Sequence, residues 1–138
     1  MILSVKLLDD RAKLPVKAYS NDAGFDIFSL EDAVLSPDRV NVLSTGLAFE
    51  IPIGYFGLLM SRSSAAINSG IDNIAGVIDS DYRGEIKIVV TTMRMVTISA
   101  GEKIAQLIII PTPQIEIKRS YNLHPTERGQ NGFGSSGK

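Results

Sequence analysis

Two carboxylates, a tyrosine, an arginine and a glycine fall within the stretch Asp79-Ser80-Asp81-Tyr82-Arg83-Gly84. A carboxylate on such a turn can act as a general base towards water, or help to hold a hydrated metal ion. A solvated acidic turn is the plainer reading of the stretch taken alone. Other polar stretches along the chain decide between the two.

Four of them carry residues of the right types. In Asn21-Asp22-Ala23-Gly24-Phe25-Asp26 a turn ends in a carboxylate just as a strand begins. Ser61-Arg62-Ser63-Ser64-Ala65-Ala66-Ile67-Asn68-Ser69-Gly70 reads as the one plausible helix. Serines can cap its start, Ala-Ala favours the helical state, and Gly70 can stop it. A helix start bearing Arg62, Ser63 and Ser64 suits a phosphate, although simple capping explains the hydroxyls equally well. Gln106 interrupts the apolar run Ile104 to Ile110, and a buried amide there must either tie down a loop or face a site. The tail, Arg128-Gly-Gln-Asn-Gly-Phe133-Gly134-Ser135-Ser136-Gly137, combines glycines with hydroxyls, an arginine and an aromatic ring. Such a segment can wrap a phosphate chain while stacking on a base.

Short β segments must position these residues. Met1 to Leu8 reads as a first strand, and the residue before Pro15 is held extended. From Val34 onwards Val40–Thr45, Leu47–Ile51 and Tyr55–Leu59 are strands, with Pro52-Ile53-Gly54 as a tight link. Asn73 to Ile78 and Glu85 to Thr91 flank the acidic turn, a pattern that reads as a hairpin-like connection. In the second of these, Glu85 and Lys87 alternate with Ile86 and Ile88 in the period of a strand. Val96–Ser99, a turn plus a largely buried strand over Gly101–Ile110, and Ile115–Lys118 complete the set. Strands at this spacing, with turns between them, predict an all-β sandwich or barrel.

The chain has 138 residues, 44% of them hydrophobic and 21% charged, which suits one soluble domain with a real core. A formal net charge of -1 gives no basic balance for nucleic-acid binding. The absence of cysteine removes disulfides, thiolate sites and cysteine nucleophiles, and a single histidine rules out a histidine-rich metal cage. The start lacks a basic signal-peptide region and the longest apolar run is too short to span a bilayer. The expectation is a cytoplasmic or otherwise intracellular protein, not secreted, without nucleic-acid or membrane partners.

Five stretches resemble one family in the right order, the trimeric deoxyuridine triphosphate nucleotidohydrolases (dUTPases). They are Asp22–Asp26, Ser61–Ser64, Asn73–Gly84, Gly101–Leu107 and Arg128–Gly137, spread over nearly the whole chain. The resemblance implies a β jelly roll of the β-clip type with one short helix, residues 1–127, and a mobile arm, residues 128–138. It also implies a homotrimer with active sites between subunits. The implied reaction is Mg²⁺-assisted hydrolysis of dUTP to dUMP and pyrophosphate, which keeps uracil out of DNA and supplies dUMP for thymidylate synthesis.

Carried onto these residues, the resemblance makes Asp79 the carboxylate that orients and deprotonates the attacking water. Tyr82 is similar to the ring beneath the deoxyribose. Asn73, Gly76, Val77 and Ile78 resemble the uracil-reading hairpin. Arg62, Ser63, Ser64 and Gln106 match phosphate-binding positions, and Asp26 matches an aspartate that acts through the metal's water shell. Arg128, Phe133, Gly134, Ser135 and Ser136 match an arm that covers base and γ-phosphate. Departures are small: Asn131 replaces a usual glycine, Ser61 a common proline, and Met93-Arg94 lacks Asn-Gly character. A dCTP deaminase shares the implied fold, and ammonia release from dCTP would reveal one. A trimer whose nucleotide occupancy controls a regulatory protein partner is the other reading left open.

Overall fold

The structure is a computed structural model that describes residues 1–132. Phe133, Gly134, Ser135 and Ser136 lie outside the described residues. In chain order the elements are β1 (Ser4–Leu7), β2 (Phe25–Phe28), β3 (Ala33–Leu35), β4 (Asn41–Ser44), β5 (Leu47–Glu50), β6 (Tyr55–Ser61), α1 (Ser63–Ser69), β7 (Asp72–Ala75), β8 (Val77–Ile78), β9 (Lys87–Thr91), β10 (Val96–Ile98) and β11 (Lys103–Pro111). The all-β expectation with one short helix therefore holds.

The strands form antiparallel groups in the orders β2-β11-β6-β8, β4-β9-β7, β1-β5 and β10-β3. Among the described residues no strand pairs with its neighbour in sequence. Each connection crosses from one group to another, as in the Greek-key winding of a jelly roll. This corrects the hairpin reading of the acidic turn: β8 before it pairs with β6, while β9 after it pairs with β4 and β7. The apolar strands on both sides of the turn belong to different layers, and local turn chemistry does not encode that.

The core lies where those layers meet. Ile27, Leu35, Leu43, Leu47, Phe49, Leu59, Ile86, Ile88, Val90, Ile98 and Leu107 are all buried and pack as one cluster. Period-2 alternation places them there: on β9, Ile88 and Val90 are buried while Lys87 is exposed. Burying each such side chain stabilises the fold by roughly 1.5–3 kcal/mol.

Two further expectations fail for identifiable reasons. Helix α1 begins at Ser63 with Arg62 in the N-cap position and no side-chain cap bond. Ser61 belongs to β6 instead, and its hydroxyl accepts the N–H of Asn73 at 2.6 Å, so it is unavailable to the helix. Gly70 does end the helix as expected, in the left-handed conformation with φ 62°. Ile115–Lys118 forms no strand, and Ile115 and Ile117 are exposed. Its alternating pattern is that of a strand, but among the described residues no strand edge pairs with it. A strand without a partner leaves its backbone groups to water.

Candidate active site

The sequence-predicted residues separate into two places on the chain. Asp79 and Tyr82 line a cleft of about 470 Å³ together with Val77, Ile78, Glu85, Ile86 and Lys87. Asp26, Arg62 and Gln106 line another pocket, of about 280 Å³, with Asp22, Gly24 and Tyr19. Strand β6 sets the distance between them. Ile78 sits opposite Gly57, and Arg62 follows five residues after Gly57 just beyond the strand's end. At ~3.3 Å per residue the backbone separation along the strand is about 17 Å, so the two pockets lie apart on the chain.

The acidic turn is built to hold its own shape. The Tyr82 N–H donates to the Asp79 carbonyl at 3.2 Å. Arg83 Nη1 donates to the carbonyls of Ser80 at 2.7 Å and Tyr82 at 3.1 Å, so this arginine closes the turn. The Tyr82 hydroxyl donates to the Glu85 carbonyl at 3.1 Å, which folds the ring back over Gly84. Asp79 is left exposed, and no ion pair among the described residues engages it. A free carboxylate on a braced turn can take a proton from water.

Next to it, Asn73 and Gly76 are clamped onto β6. Asn73 Nδ2 donates to the Leu59 carbonyl at 2.8 Å, and Leu59 N–H donates to the Gly76 carbonyl at 2.8 Å. A Cβ at Gly76 would run into the Leu59 carbonyl oxygen, so only glycine lets the two backbones approach so closely. One atom is left over: Asn73 Oδ1 is buried without a hydrogen-bond partner. An unpaired buried acceptor costs about 1–3 kcal/mol, and an N–H donor on a ligand would recover it.

The second pocket is electrostatic. Asp26 and Gln106 are register partners across β2 and β11, so their side chains share a face. Asp26 is 6% exposed, and a buried carboxylate needs a counter-charge. It has two: Lys103 Nζ at 2.8 Å and Arg62 Nε at 3.1 Å. The Arg62 contact is a charge pairing without hydrogen-bond alignment. With Asp22 on the same pocket, two carboxylates stand against the two cations, so the charges balance and a phosphate here would rest on the donors of Arg62 and Gln106. Sequence reading does not single out Lys103, although the burial demand of an aspartate opening an apolar strand is a signal for such a partner. Ser64 faces a neighbouring cavity of about 180 Å³ that also touches Arg62 and Lys103, and Ser63 is exposed.

Among the described residues no group of three or more His, Cys, Asp or Glu side chains could cage a metal ion. The oxygens of Asp22, Asp26 and Gln106 around the second pocket fit an ion that arrives hydrated on phosphates. Arg128 is exposed, and among the described residues its side chain bonds within its own segment, Nε donating to the Asn131 carbonyl at 3.0 Å. In a single chain it touches neither pocket.

An antiparallel jelly roll that carries an amide-lined pocket of paired charges apart from a cleft with a free carboxylate and an exposed ring belongs with the nucleotide-processing jelly rolls. The chain is a member of the dUTPase family, whose model matches residues 10–137. It is 43% identical over 142 residues to the deoxyuridine 5'-triphosphate nucleotidohydrolase of Nautilia profundicola, covering 100% of each chain. It is 43% identical over 139 residues to the enzyme of that name from Paramecium bursaria Chlorella virus 1, covering 98% of this chain and 97% of the other. A solved structure of a mutant Staphylococcus bacteriophage 80alpha dUTPase with dUpNHpp superimposes with a TM-score of 0.93 at 34% identity, covering 99% of each chain. That of a mutant dUTPase from phage phi11 of S. aureus, which reveals the coordination of a structural Mg(II) ion, gives 0.84 at 31%, covering 88% of this chain and 98% of that one.

Proposed function

We propose that the chain hydrolyses dUTP to dUMP and pyrophosphate, with Asp79 as the general base. The carrying observation is the family match over residues 10–137, which takes in both pockets and the Arg128–Ser136 segment. Asp79 orients a water and takes its proton as the water oxygen bonds to the α-phosphorus. The bond from that phosphorus to the bridging oxygen breaks, and pyrophosphate leaves with the electron pair. Arg62, Gln106 and the Ser63-Ser64 pair hold the phosphates. Asp26 would hold a Mg²⁺ ion through its water shell, and such an ion would supply positive charge to the triphosphate.

Specificity resides at the other end of the nucleotide. Asn73 Oδ1, the unpaired buried acceptor, takes a donor from the uracil edge, and the backbone from Gly76 to Ile78 excludes a thymine methyl. The Tyr82 ring lies under the deoxyribose and leaves no room for a 2′-hydroxyl.

The working unit is a homotrimer with sites between subunits. The separation of Asp79 from Arg62 along β6 supports this, because it sets the base and the phosphate-binding arginine in different pockets of one chain. The exposed Ile115, Ile117, Tyr121 and Leu123 supply apolar surface for a neighbouring copy. Residues 128–138 act as an arm that brings Arg128, Phe133, Gly134, Ser135 and Ser136 to a nucleotide on a neighbouring subunit. A nucleoside triphosphate substrate places the enzyme inside the cell.

Pyrophosphate release from dUTP, UTP, dTTP and dCTP in the presence of Mg²⁺ tests the reading. Strong preference for dUTP is expected. Ammonia release from dCTP, or equal rates with all four, would overturn it.

A further inference from the structure

The turn that carries Asp79 and Tyr82 is tied at its far end to the connection between β4 and β5. Glu85 Oε1 accepts the N–H of Gly46 at 3.1 Å, and the Glu85 carbonyl accepts the Tyr82 hydroxyl at 3.1 Å. One residue thus joins the phenol to a buried turn. The next residue repeats the tie: Ile86 N–H donates to the Leu47 carbonyl at 2.8 Å, and the Thr45 hydroxyl donates to the Ile86 carbonyl at 2.6 Å. Leu47 N–H in turn donates to Thr45 Oγ1 at 3.2 Å. Thr45 and Gly46 are buried, whereas Tyr82 is 45% exposed. Packing therefore does little to hold the ring, and hydrogen bonds anchored in the buried turn fix its place.

We propose that Glu85 is a positioning residue for sugar selection, holding the Tyr82 ring in place through its bond to Gly46. The inference rests on the reading of Tyr82 given above. A rival role for the carboxylate is electrostatic, since Glu85 Oε2 also lies 3.5 Å from Lys87 Nζ. Substitution separates the two. Glu85→Gln keeps an oxygen acceptor for Gly46 but removes the charge facing Lys87, whereas Glu85→Ala removes both.

The experiment compares kcat/KM for dUTP and UTP in the full chain and in Glu85→Ala, Glu85→Gln, Tyr82→Phe and Tyr82→Ala, with folding checked by thermal denaturation. Glu85→Ala is expected to lower the preference for dUTP over UTP by about 10-fold, the scale of one lost bond to a charged group. Glu85→Gln is expected to stay within about 2-fold of the parent. Tyr82→Phe, which cuts the same chain of bonds at its other end, is expected to match Glu85→Ala, and the double variant to be no worse than either, because residues in one network do not add. A folded Glu85→Ala protein with the parent's preference, beside a Tyr82→Ala protein that has lost it, would overturn the role of Glu85 and leave that of Tyr82 standing. Equal damage from Glu85→Gln and Glu85→Ala would assign the effect to charge and overturn the proposal. An unchanged preference in Tyr82→Ala would bring down the Tyr82 reading itself. If Glu85→Ala does not fold, Tyr82→Phe decides, and parental preference in that variant counts against the proposal.

Discussion

The Tyr82 phenol lies directly over Gly84: a Cβ at Gly84 would collide with the phenol oxygen and the ring carbon that bears it. On the proposed role of Tyr82 the glycine would belong to the sugar site, although it presents no side chain to a ligand. Gly84→Ala must swing the ring away or break its bond to the Glu85 carbonyl. Misplacing a substrate-positioning group by about 1 Å costs on the order of 10²-fold. The expected result is a fall in kcat/KM for dUTP of roughly 10–100-fold, with a melting temperature close to the parent's. Kinetics and a thermal melt on the same preparation check it, and parental kinetics would show that the ring position is unimportant.

Asp79 carries the chemistry of the proposed reaction. Asp79→Asn preserves shape and removes the base, so kcat is expected to fall on the order of 10²–10⁴-fold while nucleotide affinity is kept. Single-turnover pyrophosphate release and calorimetric titration with a non-hydrolysed dUTP analogue separate the two quantities. Near-parental turnover would give Asp79 some other role.

The strands are legible in the sequence because their cause is local. The alternation of Lys87 with Ile88 and Val90 on β9 comes straight from the pleat, and Gly70 stops its helix as an isolated glycine would. Partners far apart in the chain are not legible. Nothing around Asp79–Gly84 states that β8 pairs with β6 while β9 pairs with β4. Ser61 has the residue type of a helix cap, yet its hydroxyl is taken by Asn73 N–H, twelve positions away. Lys103 becomes visible only once Asp26 is known to be buried beside it. The types of the site residues are readable, and their division between two pockets is not.

The proposed role of Asn73 in reading the base rests on one atom. Its Nδ2 bond to the Leu59 carbonyl is structural, while its buried Oδ1 waits for a donor. Asn73→Ala removes both, so some stability is lost along with affinity. The expected weakening of dUMP binding is about 1–3 kcal/mol, measured by calorimetry below the melting range of the variant. Unchanged affinity would mean that the acceptor has no part in reading uracil.

Metal removal tests how the cation is held. On the proposed reading Mg²⁺ is held mainly by the nucleotide's phosphates, with Asp26 reaching it through water. EDTA is expected to abolish hydrolysis while leaving the melting temperature of the nucleotide-free protein unchanged. A large drop in that temperature would point to a structural ion held by the protein itself.

The division of the site between chains is the central claim, and mixing two crippled proteins tests it most directly. Asp79→Asn and Arg62→Ala chains, each inactive alone, are unfolded and refolded together in equal amounts. Asp79 and Arg62 lie about 17 Å apart along β6 of one chain, and the proposed trimer assigns them to different sites. In a cyclic trimer every mixed assembly then contains one site that draws Asp79 from one chain and Arg62 from another. Random mixing predicts recovery of about one quarter of the parental rate. If mixed trimers form, as shown by a mass tag on one partner, and still release no pyrophosphate, the two residues do not meet across a subunit boundary and the shared site is contradicted.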